Sequence, residues 1–326
     1  MTDFYQIVDI VTKASVVPGI CLNLLLIFLV RKFSRLEIGT FRYLLIVFAS
    51  YDIFLIILHF VFDPKYFVLP GIFCAVLDFP YGSTWLTLIH CVCFMLSYAI
   101  LITHILYRYW VIHKPYKIEL FSSPRFVMKL VAPVIVISAL LTVLCHSVIS
   151  PECSPVLLRT RGEFIRKFGR DLKDGWVIAE YWTRDGYNLI AVSAALAVDI
   201  IGIAIVTVVI SLAALTYRHI SAAFSLSTHT RTVQMQLLKA VCVQTFIPLV
   251  CVAIPYFCNT TLPIFGCPLP LFTETSGIAM SLFPSWDPLA VIMLMRPYRV
   301  GLRTMIMRYK ENPVGPISTD VTESKF

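Results

Sequence analysis

Three polar residues stand inside apolar runs: Asn23 in GICLNLLL, Asp52 in SYDIFL and Asp287 in FPSWDPLAV. An amide or carboxylate in such a stretch is costly unless a partner, water or a cation meets it. Counted at ~1.5 Å per residue from the basic residues Arg31, Arg42 and Arg296, all three lie about 12–15 Å into their runs. One shared polar cluster, holding water or a cation, satisfies them together. Pro288 follows Asp287 and removes a helix hydrogen bond, so a neighbour must also meet the carbonyl it frees. The cluster acts either as polar glue between helices or as a switch centre that repacks between two states.

A second constellation is HILYRYWVIHKPY, residues 104–116. Arg108 and the aromatic Tyr109 and Trp110 close an apolar run, and His104 lies one turn earlier on the same face. Arg108 is either a snorkelling interfacial anchor or a charged latch at the mouth of a cavity. Other chemistry is not indicated. The sequence has no Gly-rich phosphate loop, CxxC pattern or basic run with interleaved aromatics, so neither a cofactor nor a nucleic-acid partner is expected. His59, His90, His104, His113, His146, His219 and His229 are scattered without HxxxH spacing, so no metal site is expected.

The elements that hold these residues follow from composition. Of 326 residues, 58% are hydrophobic and 14% charged, and mean hydropathy is +0.82. Soluble domains carry roughly 25% charged residues, so this is a membrane protein. Apolar stretches near the ~20 residues needed to span a bilayer recur seven times. They lie at about 12–30, 41–62, 84–106, 126–149, 189–216, 237–258 and 272–294. The expected architecture is an all-α, seven-transmembrane bundle forming one domain over 1–310. Residues 150–188 make a long polar loop with room for a short amphipathic helix or hairpin. RPYRVGLRTMIMRYK reads as an amphipathic interfacial helix over about 298–310, and 311–326 as a disordered tail.

Orientation follows from the basic residues. The loops 31–42, 107–129, 217–239 and 295–326 carry 18 of the 27 Lys and Arg. That set is therefore cytoplasmic and the N-terminus outside. The sequon Asn259-Thr260-Thr261 falls in an expected outside loop, making Asn259 a glycosylation candidate. Cys21, Cys91, Cys93, Cys145, Cys242 and Cys251 lie in spans and read as small buried apolar residues. Cys74, Cys153, Cys258 and Cys267 lie on the oxidising side. The favoured disulfides are Cys74–Cys153 and Cys258–Cys267, although four cysteines allow three pairings.

At this point the residues resemble a known group. Asn23, Asp52, Arg108 in YRYWVIHKP and DPLAV at 287–291 fall where G-protein-coupled receptors place their first-span Asn, second-span Asp, third-span Arg and seventh-span Pro motif. Tyr107 stands in place of the acid that usually precedes the Arg, Val291 in place of the tyrosine closing the seventh-span motif, and the fourth span has no Trp. The usual Arg–acid lock is therefore missing, and resting-state restraint must come from elsewhere. THILYRYWVIHKP, FRYLLIVFASYDI and FPSWDPLAVIMLMRPYR resemble the nematode serpentine chemoreceptors of the class r (Str) superfamily, over about 15–305. The resemblance implies a chemosensory, olfactory-type receptor in the plasma membrane, in a sensory-neuron cilium, activating a heterotrimeric G protein. It places coupling at Arg108 and Tyr109. A small-molecule or peptide ligand would bind between the spans, with His59, His90, Asp199, Tyr256 and Glu274 as candidate wall residues.

Two other functions compete. A transporter or channel calls for inverted repeats or paired broken helices, and a membrane hydrolase for clustered metal ligands. The sequence shows neither pattern. The reading is a non-enzymatic receptor, with a transporter or channel as the alternative; it leaves ligand, G-protein class and oligomeric state open.

Overall fold

A computed structural model of the chain describes residues 2–34, 41–148, 155–222 and 227–311. Within them seven helical stretches are long and apolar enough to cross a membrane: Gln6–Phe33, Phe41–Phe62, Thr84–His113, Arg125–Ser147, Leu189–Ala222, Thr228–Phe265 and Pro270–Leu294. The first is built from α1 (Thr2–Ala14) and α2 (Val16–Phe33), joined through Ser15, whose hydroxyl donates to Thr12 O at 2.7 Å. The second is α3 (Phe41–Phe62), the third α4 (Thr84–His113) and the fourth α5 (Pro124–Val148). Ser83 caps α4 by accepting from Leu86 N at 3.2 Å, supplying an acceptor for an otherwise orphan donor. The third helix runs on to His113, well past the apolar run that announces it. The long fourth-to-fifth connection carries both a helix, α6 (Pro155–Phe168), and a hairpin. The fifth span is α7 (Leu189–Ala222).

The sixth span is compound. It comprises α8 (Thr228–Pro248), a π-helical turn at Leu249–Ala253, α9 (Ile254–Thr261) and a 3-10 turn at Leu262–Phe265. Pro248 and Pro255 bracket the widened turn, as expected where proline disturbs the regular ladder. The seventh span is α10 (Pro270–Leu294). At Met295 the backbone becomes extended, and α11 (Arg296–Glu311) leaves the bundle. Met295 is itself buried and pins that corner. Leu302 and Met305 of α11 pack on the bundle core while Ile306 and Met307 stay exposed. Residues 312–326 of the expected tail lie outside the described residues.

One end of the bundle is capped. β1 (Pro64–Leu69), β2 (Ile72–Leu77) and β3 (Val177–Glu180) form an antiparallel sheet in the order β1-β2-β3. All six residues of β2 are buried, because the bundle covers one face and α6 the other. Phe164 of α6 meets Phe67, Phe168 and Trp176 edge-on or stacked. A small hairpin, β4 (Trp182–Thr183) and β5 (Gly186–Tyr187), follows. Trp182 donates Nε1–H to Ile264 O at 2.9 Å. Its ring lies against Gly71 and Gly266, two turn residues with φ of +75° and +69°, where a Cβ would come within 2.9 and 2.5 Å of it. Glycine is needed at both for conformation and for space.

Two expectations change here, and a third, the Cys74–Cys153 pairing, falls on a residue outside those described. Asn259 is in α9, only 6% exposed, and its side chain is engaged on both sides: Nδ2 donates to Ser276 Oγ at 3.3 Å and Oδ1 accepts from Thr273 Oγ1 at 2.8 Å. The sixth helix continues through the supposed loop, so the sequon is no glycan acceptor in this fold. Cys258 and Cys267 are unbonded, because Cys258 sits on α9 while Cys267 lies beyond the 3-10 turn, exposed, with Sγ 3.6 Å from Phe265 O. Cys74 is an unbonded, fully buried thiol on β2, and Cys153 lies outside the described residues. Burial pushes the Cys74 thiol up, away from the reactive thiolate. In folded protein at neutral pH, a maleimide should therefore modify Cys267 quickly and Cys74 only after unfolding. Mass mapping of the adducts checks this, and early labelling of Cys74 would contradict the packed sheet.

Candidate functional site

The polar cluster begins with the seventh helix. Pro288 has no N–H to offer the carbonyl four residues back, that of Pro284. Asn23 of α2 fills the vacancy, donating Nδ2 to Pro284 O at 2.8 Å and to Gly19 O at 3.0 Å. Gly19 permits the approach, since a Cβ there would stand 2.5 Å from Ser285 Oγ and 2.8 Å from Ile56 Cδ1. Asp52 and Asp287 are both fully buried and lie within electrostatic reach of each other. Among the described residues none of their four oxygens, nor Asn23 Oδ1, has a hydrogen-bond partner. Ser97, Gln244 and Ser285, on the third, sixth and seventh spans, also carry buried unpartnered polar atoms. Two neighbouring acids in an apolar interior disfavour each other's charged form, and water, a shared proton or a cation between them relieves this. Among the described residues no group of three or more His, Cys, Asp and Glu is arranged to hold a metal.

Arg108 is no snorkelling anchor: it is 2% exposed, inside the bundle at the end away from the cap. Its guanidinium stacks 3.6 Å from the centre of the Phe41 ring and donates Nη1–H to Gln234 Oε1 of α8 at 3.2 Å. Its Nε and Nη2 find no hydrogen-bond partner among the described residues. Tyr298, fully buried and 3.0 Å from Ser34 Oγ, lies within electrostatic reach. A neutral amide from the sixth span thus faces the arginine of the third, where an acid would make an ion pair. His104 ties the same helix to α3 through Leu44 O at 3.1 Å. Tyr109 lies beside His113 and His219, whose rings are 4.4 Å apart across the third and fifth spans.

At the capped end the five candidate wall residues do not form one pocket. His59 and Glu274 line a charged vestibule of 160 Å³, together with Asp9, Asp63, Asp78 and Lys65. Its charges are spent on closing the cap. Lys65 bridges Asp9 of α1 at 3.3 Å and Asp63 at 2.6 Å, Lys167 of α6 pairs with Glu274 of α10, and Arg170 pairs with Asp78. Asp63, with φ of +40°, is the only non-glycine residue with positive φ among those described. His90 lies deeper, 1% exposed, its ring 5.8 Å from that of His59 and 5.1 Å from Phe94.

Tyr256 lines a second cavity of 110 Å³, walled by Leu88, Cys91 and Met95 of the third span, Cys145 of the fourth, Ala194 and Ala195 of the fifth, and roofed by β3 and Tyr181. Asp199 stands beside it, 6% exposed, accepting from Thr261 Oγ1 at 2.7 Å and, more weakly, from Thr260 Oγ1 at 3.5 Å. Apolar cavities of ~150 Å³ take a guest the size of benzene. Between this cavity and Arg108, Tyr98 of α4 donates to Pro248 O at 2.8 Å, just where the sixth helix widens.

Sequence reasoning missed Gln234, Phe41, Tyr98 and Tyr298. Gln234 precedes the apolar run assigned to the sixth span; the signal was the run of glutamines at 234, 236 and 244 on a helix that must enter the bundle.

Seven apolar helices, a buried arginine at one end and an apolar cavity near the other define a multi-pass membrane bundle of receptor type. The chain belongs to the family of serpentine type 7TM GPCR chemoreceptors Str, which it matches over residues 8–303. It is 24% identical over 308 residues to a Caenorhabditis briggsae protein named serpentine receptor class r-10, covering 90% of this chain and 89% of that protein. The Caenorhabditis elegans protein of the same name is 25% identical over 310 residues, with the same coverage. Serpentine receptor class J-38 of Caenorhabditis elegans is 28% identical over 276 residues, covering 80% of this chain and 82% of that protein. The family is one of chemosensory receptors, not of enzymes.

Proposed function

We propose that the chain is a G-protein-coupled chemosensory receptor that detects a small, largely apolar molecule. The capped end faces outside and the Arg108 end faces a heterotrimeric G protein. The bias of Lys and Arg to the loops at the Arg108 end supports this orientation. In it, α11 lies on the inner leaflet of the plasma membrane, and the relatives' family suggests a sensory-neuron cilium.

One observation carries the reading. A single helix, α4, supplies a wall of the apolar cavity through Leu88, Cys91 and Met95 and, about four to six turns further on, the buried Arg108. A cap closed by ion pairs leaves room for a small molecule rather than a peptide. A ligand in the cavity touches the third, fifth and sixth spans, and so favours whichever arrangement of them it fits better. The Tyr98–Pro248 bond and the widened sixth helix give that preference a place to act. Asn23, Asp52 and Asp287 repack, Gln234 leaves Arg108, and the inner ends of the third and sixth spans part to admit a Gα segment.

The test is guanine-nucleotide exchange on co-expressed Gα subunits, in membranes where protease protection of an N-terminal tag has verified orientation. A panel of small volatile molecules should contain some that raise exchange above an Arg108→Ala control. A response equal in wild type and control would overturn coupling through Arg108.

A further inference from the structure

The charged groups of the capped end show a contrast. Asp9, Asp63, Asp78 and Glu274 each have a Lys or Arg partner. Asp199 has none among the described residues; its hydrogen-bond partners there are hydroxyls. Thr261 and Thr260 donate to its two oxygens, and the hydroxyls of Tyr181 and Tyr256 lie within electrostatic reach. Three of these neighbours, Tyr181, Tyr256 and Thr260, line the 110 Å³ cavity, as does Val198 next along the chain. The rest of the wall is Leu, Ile, Val, Ala, Met, Phe and Cys with a single further hydroxyl, Thr142. A buried acid just behind the wall of a mostly apolar chamber, met by two threonine hydroxyls with one proton each to give, has capacity for a cation that no described residue supplies.

We propose that the cavity takes a small lipophilic amine, its ammonium against Asp199 between Tyr181, Tyr256 and Thr260, and its apolar tail along Leu88, Met95 and Ala195. This rests on the reading of that cavity as the ligand site and adds the chemical class of the ligand. Thr260 Oγ1 is the natural gate. Its one proton can go to Asp199 at 3.5 Å or to Tyr256 O at the shorter 3.0 Å, so it can turn from the carboxylate to the carbonyl and stay satisfied. A neutral alcohol or ketone of the same shape fills the apolar part but leaves the carboxylate as it was. The discrimination should therefore be large, as it is wherever a site holds a buried polar group for one ligand and not its analogue.

The test compares butylamine, butanol and butanone on the full chain in nanodiscs, with binding followed by the thermal unfolding midpoint. Butylamine should half-saturate at a concentration about ten-fold or more below the other two. Asp199→Asn, which can still accept from Thr260 and Thr261, should erase that preference while butanol binding stays; Asp199→Glu should retain part of it. Ala195→Phe, which fills the cavity, should block all three. Equal binding of the three probes, blocked by Ala195→Phe but unchanged by Asp199→Asn, would overturn the amine and leave the cavity reading standing. Absence of binding, or binding indifferent to Ala195→Phe, would overturn both.

Discussion

Replacing Asp287 with asparagine is expected to raise the thermal midpoint of the purified receptor by about 2–6 °C while cutting ligand-driven nucleotide exchange about ten-fold at equal surface density. The stability gain follows from the buried, unpartnered carboxylates of Asp52 and Asp287. Two neighbouring buried acids disfavour each other's ionisation; replacing one with a neutral amide is expected to relieve about 1–3 kcal/mol, and for a chain of this size each kcal/mol moves the midpoint by about 2 °C. Asparagine keeps the shape and can accept a hydrogen bond, so the packing around Pro284 and Pro288 survives. The functional loss has the same origin. A centre that is stressed in the resting state favours rearrangement, and a tenfold change in the two-state equilibrium needs only about 1.4 kcal/mol. Sites of function commonly trade stability in this way. An unchanged midpoint together with unchanged exchange would mean that the two acids do not sense each other.

Replacing Gln234 with alanine is expected to have the opposite effect: ligand-independent exchange should rise several-fold at least, with surface density held constant. The bond from Arg108 Nη1 to Gln234 Oε1 is a direct polar link between the third and sixth spans at the end away from the cap. A hydrogen bond to a charged donor is worth about 1.5–3 kcal/mol. Its loss in the resting state alone shifts the equilibrium by a factor of roughly ten or more, and a minor state populated at about 0.1–10% becomes substantial. Gln234→Glu should lower basal exchange below wild type, since it replaces a neutral acceptor with an ion pair of the kind that Tyr107 cannot make. Surface-calibrated basal exchange reads both variants. If both match wild type, Gln234 is not the restraint, and the stack of Arg108 on Phe41 becomes the next place to look.

How much of this was legible follows from which forces are local. The spans were legible because a bilayer demands some twenty apolar residues in a row, and the cluster of Asn23, Asp52 and Asp287 because polar groups are conspicuous in such runs. The partner of the carbonyl freed by Pro288 could be anticipated in kind, and it proved to be Asn23. What escaped were features made by distant parts of the chain. Gln234 lies in THTRTVQMQ, too polar to read as a span, yet the helix starts at Thr228. Asn259-Thr260-Thr261 looked like a loop because Asn, Thr and the following Pro263 favour turns, whereas the helix carries through and buries all but the edge of Asn259. Glu274 could not be told apart from a ligand contact, because its partner Lys167 lies over a hundred residues away on α6. The sheet was invisible for a related reason: IFCAVL at 72–77 is a short apolar run without alternation, since both of its faces are covered.

The account holds that the cavity is the input, the Arg108–Gln234 contact the output, and α4 the element that joins them. One side-by-side exchange assay tests it most directly, on wild type, Ala195→Phe, Gln234→Ala and the double variant, each with and without whichever panel molecule activates wild type. The predicted result is that Ala195→Phe loses the ligand response, while the double variant keeps the raised basal exchange of Gln234→Ala and no longer responds to ligand. A ligand response that survives the filled cavity, or a basal rise that disappears when the cavity is filled, would contradict it.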